Sequence, residues 1–229
     1  MTNRTDPAGK ARPGTILGIE TGSRGLSVAI LKDARPLARE AARSDHGQAT
    51  MLMPMIERVR AAAGLGYAEL DRIAVAAGPG SFTGLRVGLA AALGLALASG
   101  VPAVGISSFH AAAGGVERWA GARLIVVLDS RRDEPFVAEL GGDADFLRTP
   151  SVMSVAALDA LVESAAPVLL CGDAPALERY RARDGIRVQM RAADAADVAR
   201  LAADPERRFD LPPKPVYIRP PDVTMPKPA

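Results

Sequence analysis

Apolar positions recur along this chain with two different periods, and the changes of period mark out its elements. Thr15–Glu20 is a short apolar run carried by Ile16, Leu17 and Ile19, and it stops at Thr21-Gly22-Ser23. Gly25–Lys32 and Arg35–Ala42 read as a second and a third strand. The first two then form a hairpin through a polar turn. The period lengthens after that. Leu52, Ile56, Val59 and Ala63 fall on one helical stripe, with Met51 and Met55 on a neighbouring stripe and Met53 further round. Asp45 and Gln48 have capping-box spacing and Gly64 supplies a stop. Pro54 predicts a kink, or a start nearer Leu52.

A strand over Arg72–Ala77 leads into Gly78-Pro79-Gly80-Ser81-Phe82-Thr83-Gly84-Leu85-Arg86 and then an uncharged helix, Val87 to Ser99. In this stretch Leu85, Leu89, Leu93 and Leu97 recur every fourth residue beside Gly84, Gly88, Ala91, Ala92 and Gly94. A glycine inside a helix costs about 1 kcal/mol relative to alanine, so these glycines point to close approach by a neighbour. The helix is apolar all round and calls for cover on most sides. Next come a strand over Pro102–Ile106, a helix capped by Ser107 or Ser108 and running to about Trp119, and a hairpin of Arg123–Leu128 with Phe136–Leu140. Residues 141–153 read as loop. Ser154–Glu163 reads as helix, Val168–Cys171 as strand, Gly172-Asp173 as turn, Ala174–Arg183 as helix, Arg187–Met190 as strand and Ala192–Ala203 as helix. Both halves open with an apolar strand ending on an acidic residue, Glu20 or Asp129, then a polar turn and a second strand. That order predicts a duplicated α/β unit with a cleft between the halves.

The resulting division is a flexible leader over 1–14, a first lobe over 15–118, a smaller second lobe over 119–210 and a proline-rich tail over 211–229. Within the tail, Val216-Tyr217-Ile218-Arg219 is expected to dock as a short strand or anchor.

Composition changes this picture in a few places. At 48% hydrophobic over 229 residues, the chain as a whole is not disordered. The net charge is +2, with 24 Arg against 4 Lys, which permits an acidic partner without requiring one. Aromatics make up only 4%, arguing against an extended base-stacking surface. A single cysteine, Cys171, excludes internal disulfides and thiolate metal clusters and fits a reducing cytoplasm. No secretory signal is visible in the polar first fourteen residues. Val87–Ile106 is uncharged, but Gly100 and Pro102 divide it, leaving a helix of roughly thirteen residues, too short to cross a bilayer. The expectation is a cytoplasmic chain with no membrane contact.

A strand, a glycine-rich turn and a helix form the context in which backbone amides attract phosphate. Glu20, Thr21, Gly22 and Ser23, together with Gly78, Gly80, Ser81 and Asp129, are therefore the candidate phosphate-loop residues. A Walker A loop needs Lys and then Ser or Thr after its last glycine, whereas Leu85-Arg86 follow Gly84. A dinucleotide fingerprint needs G-x-G-x-x-G and an acidic residue about twenty positions on; the spacing here is one residue longer, and the next acidic residue is Glu117. Glu20 and Asp129 at facing strand ends would suit an ATP-dependent phosphotransferase, as base or metal ligand, and this is the alternative reading. The two histidines, His46 and His110, are 64 positions apart, so no pair of histidines one turn apart on a helix exists to hold a catalytic metal.

Several segments resemble the TsaB family: Ile16-Leu17-Gly18-Ile19-Glu20-Thr21; His46 followed by Leu52-Met53-Pro54-Met55-Ile56; Ala77-Gly78-Pro79-Gly80-Ser81-Phe82-Thr83-Gly84-Leu85-Arg86-Val87-Gly88; Gly105-Ile106-Ser107-Ser108-Phe109; and Tyr217-Ile218-Arg219. The match is specific over about residues 15–110 and diffuse over 120–210. The resemblance implies an actin-like ATPase fold, a duplicated ribonuclease-H-like unit with a reduced second lobe. It also implies a non-catalytic role beside a TsaD-like catalytic subunit and a TsaE-like ATPase, in adding threonylcarbamoyl to the adenosine next to the tRNA anticodon. Three departures weaken the phosphate loops: Glu20 where the family has aspartate, Asp133-Glu134 where a glycine follows the second turn, and Gly172-Asp173-Ala174 without a further glycine. No cofactor is expected beyond weak adenine-nucleotide binding. The expected partner contacts are Met51, Met55, Leu89 and Leu93, with Arg58 and Arg86 at a polar rim. The apolar helices also predict a homodimer when the chain is alone.

Overall fold

The computed structural model describes residues 14–44, 47–163, 166–206 and 208–219. Its first sheet contains β1 (Thr15–Glu20), β2 (Leu26–Lys32), β3 (Arg35–Ala42), β4 (Arg72–Gly78) and β5 (Ala103–Ser107), in the order β3-β2-β1-β4-β5. β1 runs antiparallel to β2 and parallel to β4. The second sheet contains β6 (Arg123–Leu128), β7 (Phe136–Leu140), β8 (Ser151–Val152), β9 (Val168–Gly172) and β10 (Ile186–Met190), in the order β10-β9-β6-β7-β8. There too the central strand β6 is antiparallel to its hairpin partner and parallel to the strand on its other side. Read from the hairpin edge, the two sheets have the same topology, which is the duplication expected from the two apolar strands ending in acid.

Strand alternation sends each face to a different layer. Leu17, Ile19, Val28, Ile30, Ile73 and Val75 face α1 (Gln48–Ala63) and α2 (Phe82–Ser99). Ile16, Ala29, Ala74 and Ala76 face α3 (Ser108–Ala113) and α5 (Ala195–Ala202). Those two helices also pack on Leu124, Val126 and Ala138 of the second sheet, so they lie between the sheets. The far side of the second sheet, through Ile125, Val127, Val137 and Leu170, is covered by α4 (Val155–Val162) and a 3-10 turn at Pro175–Tyr180. Gly18 of β1 allows this stacking: a Cβ there would sit 2.1 Å from the carbonyl oxygen of Ala195.

Several boundaries differ from the sequence reading. α1 starts at Gln48 behind Gly47, which is left-handed with φ 81°, and no side chain caps it. Asp45 and His46 lie outside the described residues. α1 runs unbroken through Pro54. α2 starts at Phe82, five residues earlier than expected, because the Ser81 hydroxyl accepts from the Gly84 amide and closes the first turn. At 18 residues it is long and apolar enough to cross a membrane, so the expectation of a helix too short to cross does not hold. Its Gly84, Leu85, Gly88, Leu89 and Ala92 side is nevertheless packed into the first lobe. α3 ends at Ala113 rather than near Trp119, with Gly114 and Gly115 following. The expected helix over 174–183 is only the 3-10 turn, and the expected loop over 141–153 contains β8.

The tail is extended and docked. Gly105 and Leu211 exchange backbone hydrogen bonds of 2.8 and 2.9 Å, and the Val216 amide donates to the Ala77 carbonyl at 2.8 Å. The leader up to residue 13 and the tail beyond residue 219 lie outside the described residues.

Candidate functional site

The duplicated hairpins place three carboxylates at one level between the lobes. Glu20 ends β1, Asp129 follows β6, and Asp173 follows β9. All three line a residual pocket of about 10 Å³, with Ser23, Gly80 and Ser108. Glu20 is fully buried, and burial pushes its carboxyl up to about 7, an effect reinforced by the nearby Asp173 and opposed by its hydrogen bonds. Its Oε1 accepts from the Gly22 amide at 2.6 Å and the Ser23 amide at 3.0 Å, and its Oε2 accepts from the Ser23 hydroxyl at 2.7 Å. Asp173 is also pushed up, chiefly by burial, while its Oδ1 accepts from the Asp129 amide at 2.9 Å.

The candidate phosphate loops are thus occupied by their own protein. The Gly22 and Ser23 amides, placed where a phosphate would need donors, already serve the Glu20 carboxylate. The Ser81 amide donates to the Gly22 carbonyl at 2.8 Å. The Thr21 hydroxyl donates to the Gly84 carbonyl at 2.8 Å. A Cβ on Gly80 would lie 2.7 Å from the Gly22 oxygen, and one on Gly84 would lie 1.9 Å from the Thr21 oxygen. The glycines of the 78–88 segment therefore bring this loop against the 20–23 turn. Across the cleft, Arg24 pairs with Asp129 at 2.6 Å, and Arg131 Nη2 donates to the Ser23 carbonyl at 2.9 Å. Both contacts tie one lobe to the other. Ser108 Oγ is buried with no hydrogen-bond partner among the described residues. A pocket of this size has room for about one water molecule and none for a triphosphate. Among the described residues, no group of three or more His, Cys, Asp or Glu side chains is placed to hold a metal ion.

The expected partner contacts divide sharply. Met55 is 0% exposed and Leu89 4% exposed; both belong to the core between α1, α2 and the first sheet, which corrects their assignment as surface contacts. Met51 is half-buried against the same core. Leu93 is 46% exposed. Arg58 lies on the surface and makes a two-pronged pair with Glu40 at 2.7 and 3.0 Å. Arg86 stacks 3.7 Å from the Phe82 ring centroid and donates from Nε to the Tyr217 hydroxyl at 3.1 Å. The sequence reading passed over Leu97, at 89% exposure the most exposed large apolar side chain described, and also Phe82 and Met53. A strict 100° helical projection would have grouped Arg86, Ala90, Leu93 and Leu97 on one face. The sequence places Asp173 in a turn and in a weakened phosphate loop, but nothing local marks it as a neighbour of Glu20.

The two like-built sheets with helices between and outside them define an actin-like ATPase fold. Among solved structures, YeaZ from Pseudomonas aeruginosa superposes with a TM-score of 0.71 over 89% of this chain and 99% of that one, at 25% identity. The activator of 2-hydroxyisocaproyl-CoA dehydratase from Clostridium difficile, solved with bound ADPNP, gives 0.55 at 12% identity over 83% of this chain and 94% of that one, a likeness of fold alone. A family model described as TsaD: tRNA N6-adenosine threonylcarbamoyltransferase matches residues 40–199. The tRNA threonylcarbamoyladenosine biosynthesis protein TsaB of Escherichia coli is 35% identical over 130 residues, 56% of this chain and 55% of that protein. The matched region spans about half the length of the first curated relatives. The chain belongs to the family that the TsaD model describes.

Proposed function

We propose that the chain is a non-catalytic subunit of a tRNA threonylcarbamoyladenosine assembly, seating and activating a TsaD-like catalytic subunit on the outer faces of α1 and α2. The observation that carries this reading is the outer face of α2. Phe82, Leu93 and Leu97 stand exposed there, with Ala90 and Arg86 on the same face. An apolar helix face of this kind marks an interaction site. On α1, Met53 is a further exposed apolar side chain, and Arg58 stands toward the β3 edge, paired with Glu40. The self-filled loops support a non-catalytic role, because the Gly22 and Ser23 amides already serve Glu20 and the Arg24–Asp129 and Arg131–Ser23 contacts hold the two turns together. A TsaE-like ATPase and the tRNA join through the assembly. Alone, the same face pairs with a second copy of the chain, an isologous contact that needs no new surface.

Light scattering after size exclusion tests this on the chain, on a TsaD-like subunit from the same organism, and on their mixture. The expected outcome is a one-to-one complex that modifies tRNA when supplied with threonylcarbamoyl-adenylate and the ATPase subunit, neither protein being active alone. No complex in the mixture, together with a strictly monomeric chain at high concentration, overturns the reading.

A further inference from the structure

Beside the filled pocket lies a second opening that the proposed role does not use. It has a volume of about 530 Å³ and shares only Pro79 and Gly80 with that pocket. Arg131, Arg132 and Arg219 line it, and among the described residues no carboxylate does. The turn carrying the first two arginines is stiffened by Ser130, whose hydroxyl donates to the Glu134 carbonyl at 2.6 Å and accepts from the Arg132 amide at 3.3 Å. Arg219 is held at the rim by Glu134 at 3.1 Å. Phe82 and Tyr217 form the other wall, their rings 5.3 Å apart and tilted by 30°. Three aromatic residues, Phe136 included, meet here in a sequence with five Phe, three Tyr and one Trp.

We propose that this cleft binds a nucleotide unit, its phosphate held by Arg131 and Arg132 and its base laid on the Tyr217–Phe82 wall. Guanidinium groups match phosphate oxygens in two-pronged geometry, and an aromatic face accepts any base. Neither a bare anion nor an apolar ligand would use both walls. The same chemistry is offered by a free mononucleotide and by a nucleotide within an RNA strand. The inference needs only the chain itself, although the cleft shares Phe82 with the proposed partner face of α2.

Fluorescence anisotropy of the full chain, titrated into labelled AMP and into a labelled single-stranded oligoadenylate of about ten nucleotides, tests it, with inorganic phosphate as competitor. Saturable, salt-sensitive binding is expected. Arg132→Glu, on an exposed turn, should weaken it tenfold or more. Tyr217→Ala should weaken nucleotide binding roughly tenfold while leaving competition by inorganic phosphate unchanged, and Tyr217→Phe should restore it. Similar affinities for AMP and the oligomer identify the free nucleotide as the ligand. A tenfold preference for the oligomer identifies the strand. The proposal is overturned by absence of saturable binding of either probe at millimolar concentration, or by Arg132→Glu binding as the parent does.

Discussion

The inner and outer faces of α2 are built from the same residue types and do opposite things. On the inner face, Gly84 and Gly88 bring the helix onto Thr21, while Leu85 and Leu89 fill the space beneath the first sheet. On the outer face, Leu93 and Leu97 project, 46% and 89% exposed among the described residues. The leucines recur every fourth residue, and each such step overshoots a full turn by about 40°. From Leu85 to Leu97 the row therefore rotates by about 120°, out of the core and onto the surface. A leucine's position along that row, and not its chemistry, decides whether it holds the lobe together or is available to a partner.

The largest expected effect breaks the inner face. Leu89→Arg places a charge without a counter-ion in the core, a change that costs about 3–5 kcal/mol. That is a large fraction of the 5–15 kcal/mol by which a domain is usually stable. The variant should lose its cooperative melt by circular dichroism. Gly84→Ala should follow, losing about 3 kcal/mol in urea unfolding, because its Cβ would lie 1.9 Å from a backbone oxygen and α2 would have to lift off the 20–23 turn. A normal melt for both variants would mean that the inner face is not the inner face.

The cleft supplies the next effect. The Glu20 carboxyl is raised from 4.5 to about 7 by burial, so its ionised form is penalised only in the folded state. The folded chain is therefore favoured at low pH, and that advantage falls away as pH rises from about 4.5 through about 7. Glu20→Gln keeps an acceptor for the Gly22 and Ser23 amides and cannot ionise. Relative to the parent it should gain up to about 3 kcal/mol at pH 8 and nothing at pH 4. Asp173 shifts in the same direction by burial, and His110 is lowered by burial, but both remain in parent and variant. The difference between the two pH profiles of melting temperature thus reports Glu20 together with its coupling to Asp173. A constant difference from pH 4 to 8 would mean that Glu20 is not desolvated.

Much of this architecture was legible from local patterns. The strands at 15–20, 123–128 and 136–140, and the duplication they imply, follow from apolar runs ending on Glu20 and Asp129. What could not be read were the consequences of long-range contact. Whether the amides of Gly22 and Ser23 face a phosphate or a carboxylate depends on where Glu20 points after β1 pairs with β2. The end of α3 at Ala113 depends on the space between the sheets, and the short turn at 175–180 on how Leu177 and Tyr180 pack on the far side of the second sheet. Met55 and Met51 occupy nearby stripes of one helix, and only the packing of α1 on the first sheet and α2 buries the first and leaves the second half open. α5 read as mostly alanine and polar; that smallness lets Ala195 and Ala199 fit between two sheets.

The smallest effect on stability tests the outer face and sharpens the contrast most. Leu97→Arg adds a charge at a site that is 89% exposed, so its melting temperature should match the parent's, with a stability change within about 0.5 kcal/mol. Leu93→Arg, at 46% exposure, should fold as well, with a slightly lower melt. Against a partner the order reverses. An arginine in the desolvated centre of an apolar interface has no counter-charge there, and it should weaken association with a TsaD-like subunit at least a hundredfold by calorimetry. Leu97→Arg should likewise convert any self-associated form of the chain to monomer in light scattering. Arg58→Ala at the rim should weaken partner binding by severalfold at most, because its pair with Glu40 lies at the surface. If Leu93→Arg and Leu97→Arg both fold and bind the catalytic subunit as the parent does, α2 does not carry the interface. The docking surface would then have to be sought at the Arg131–Arg132 turn or along the docked tail.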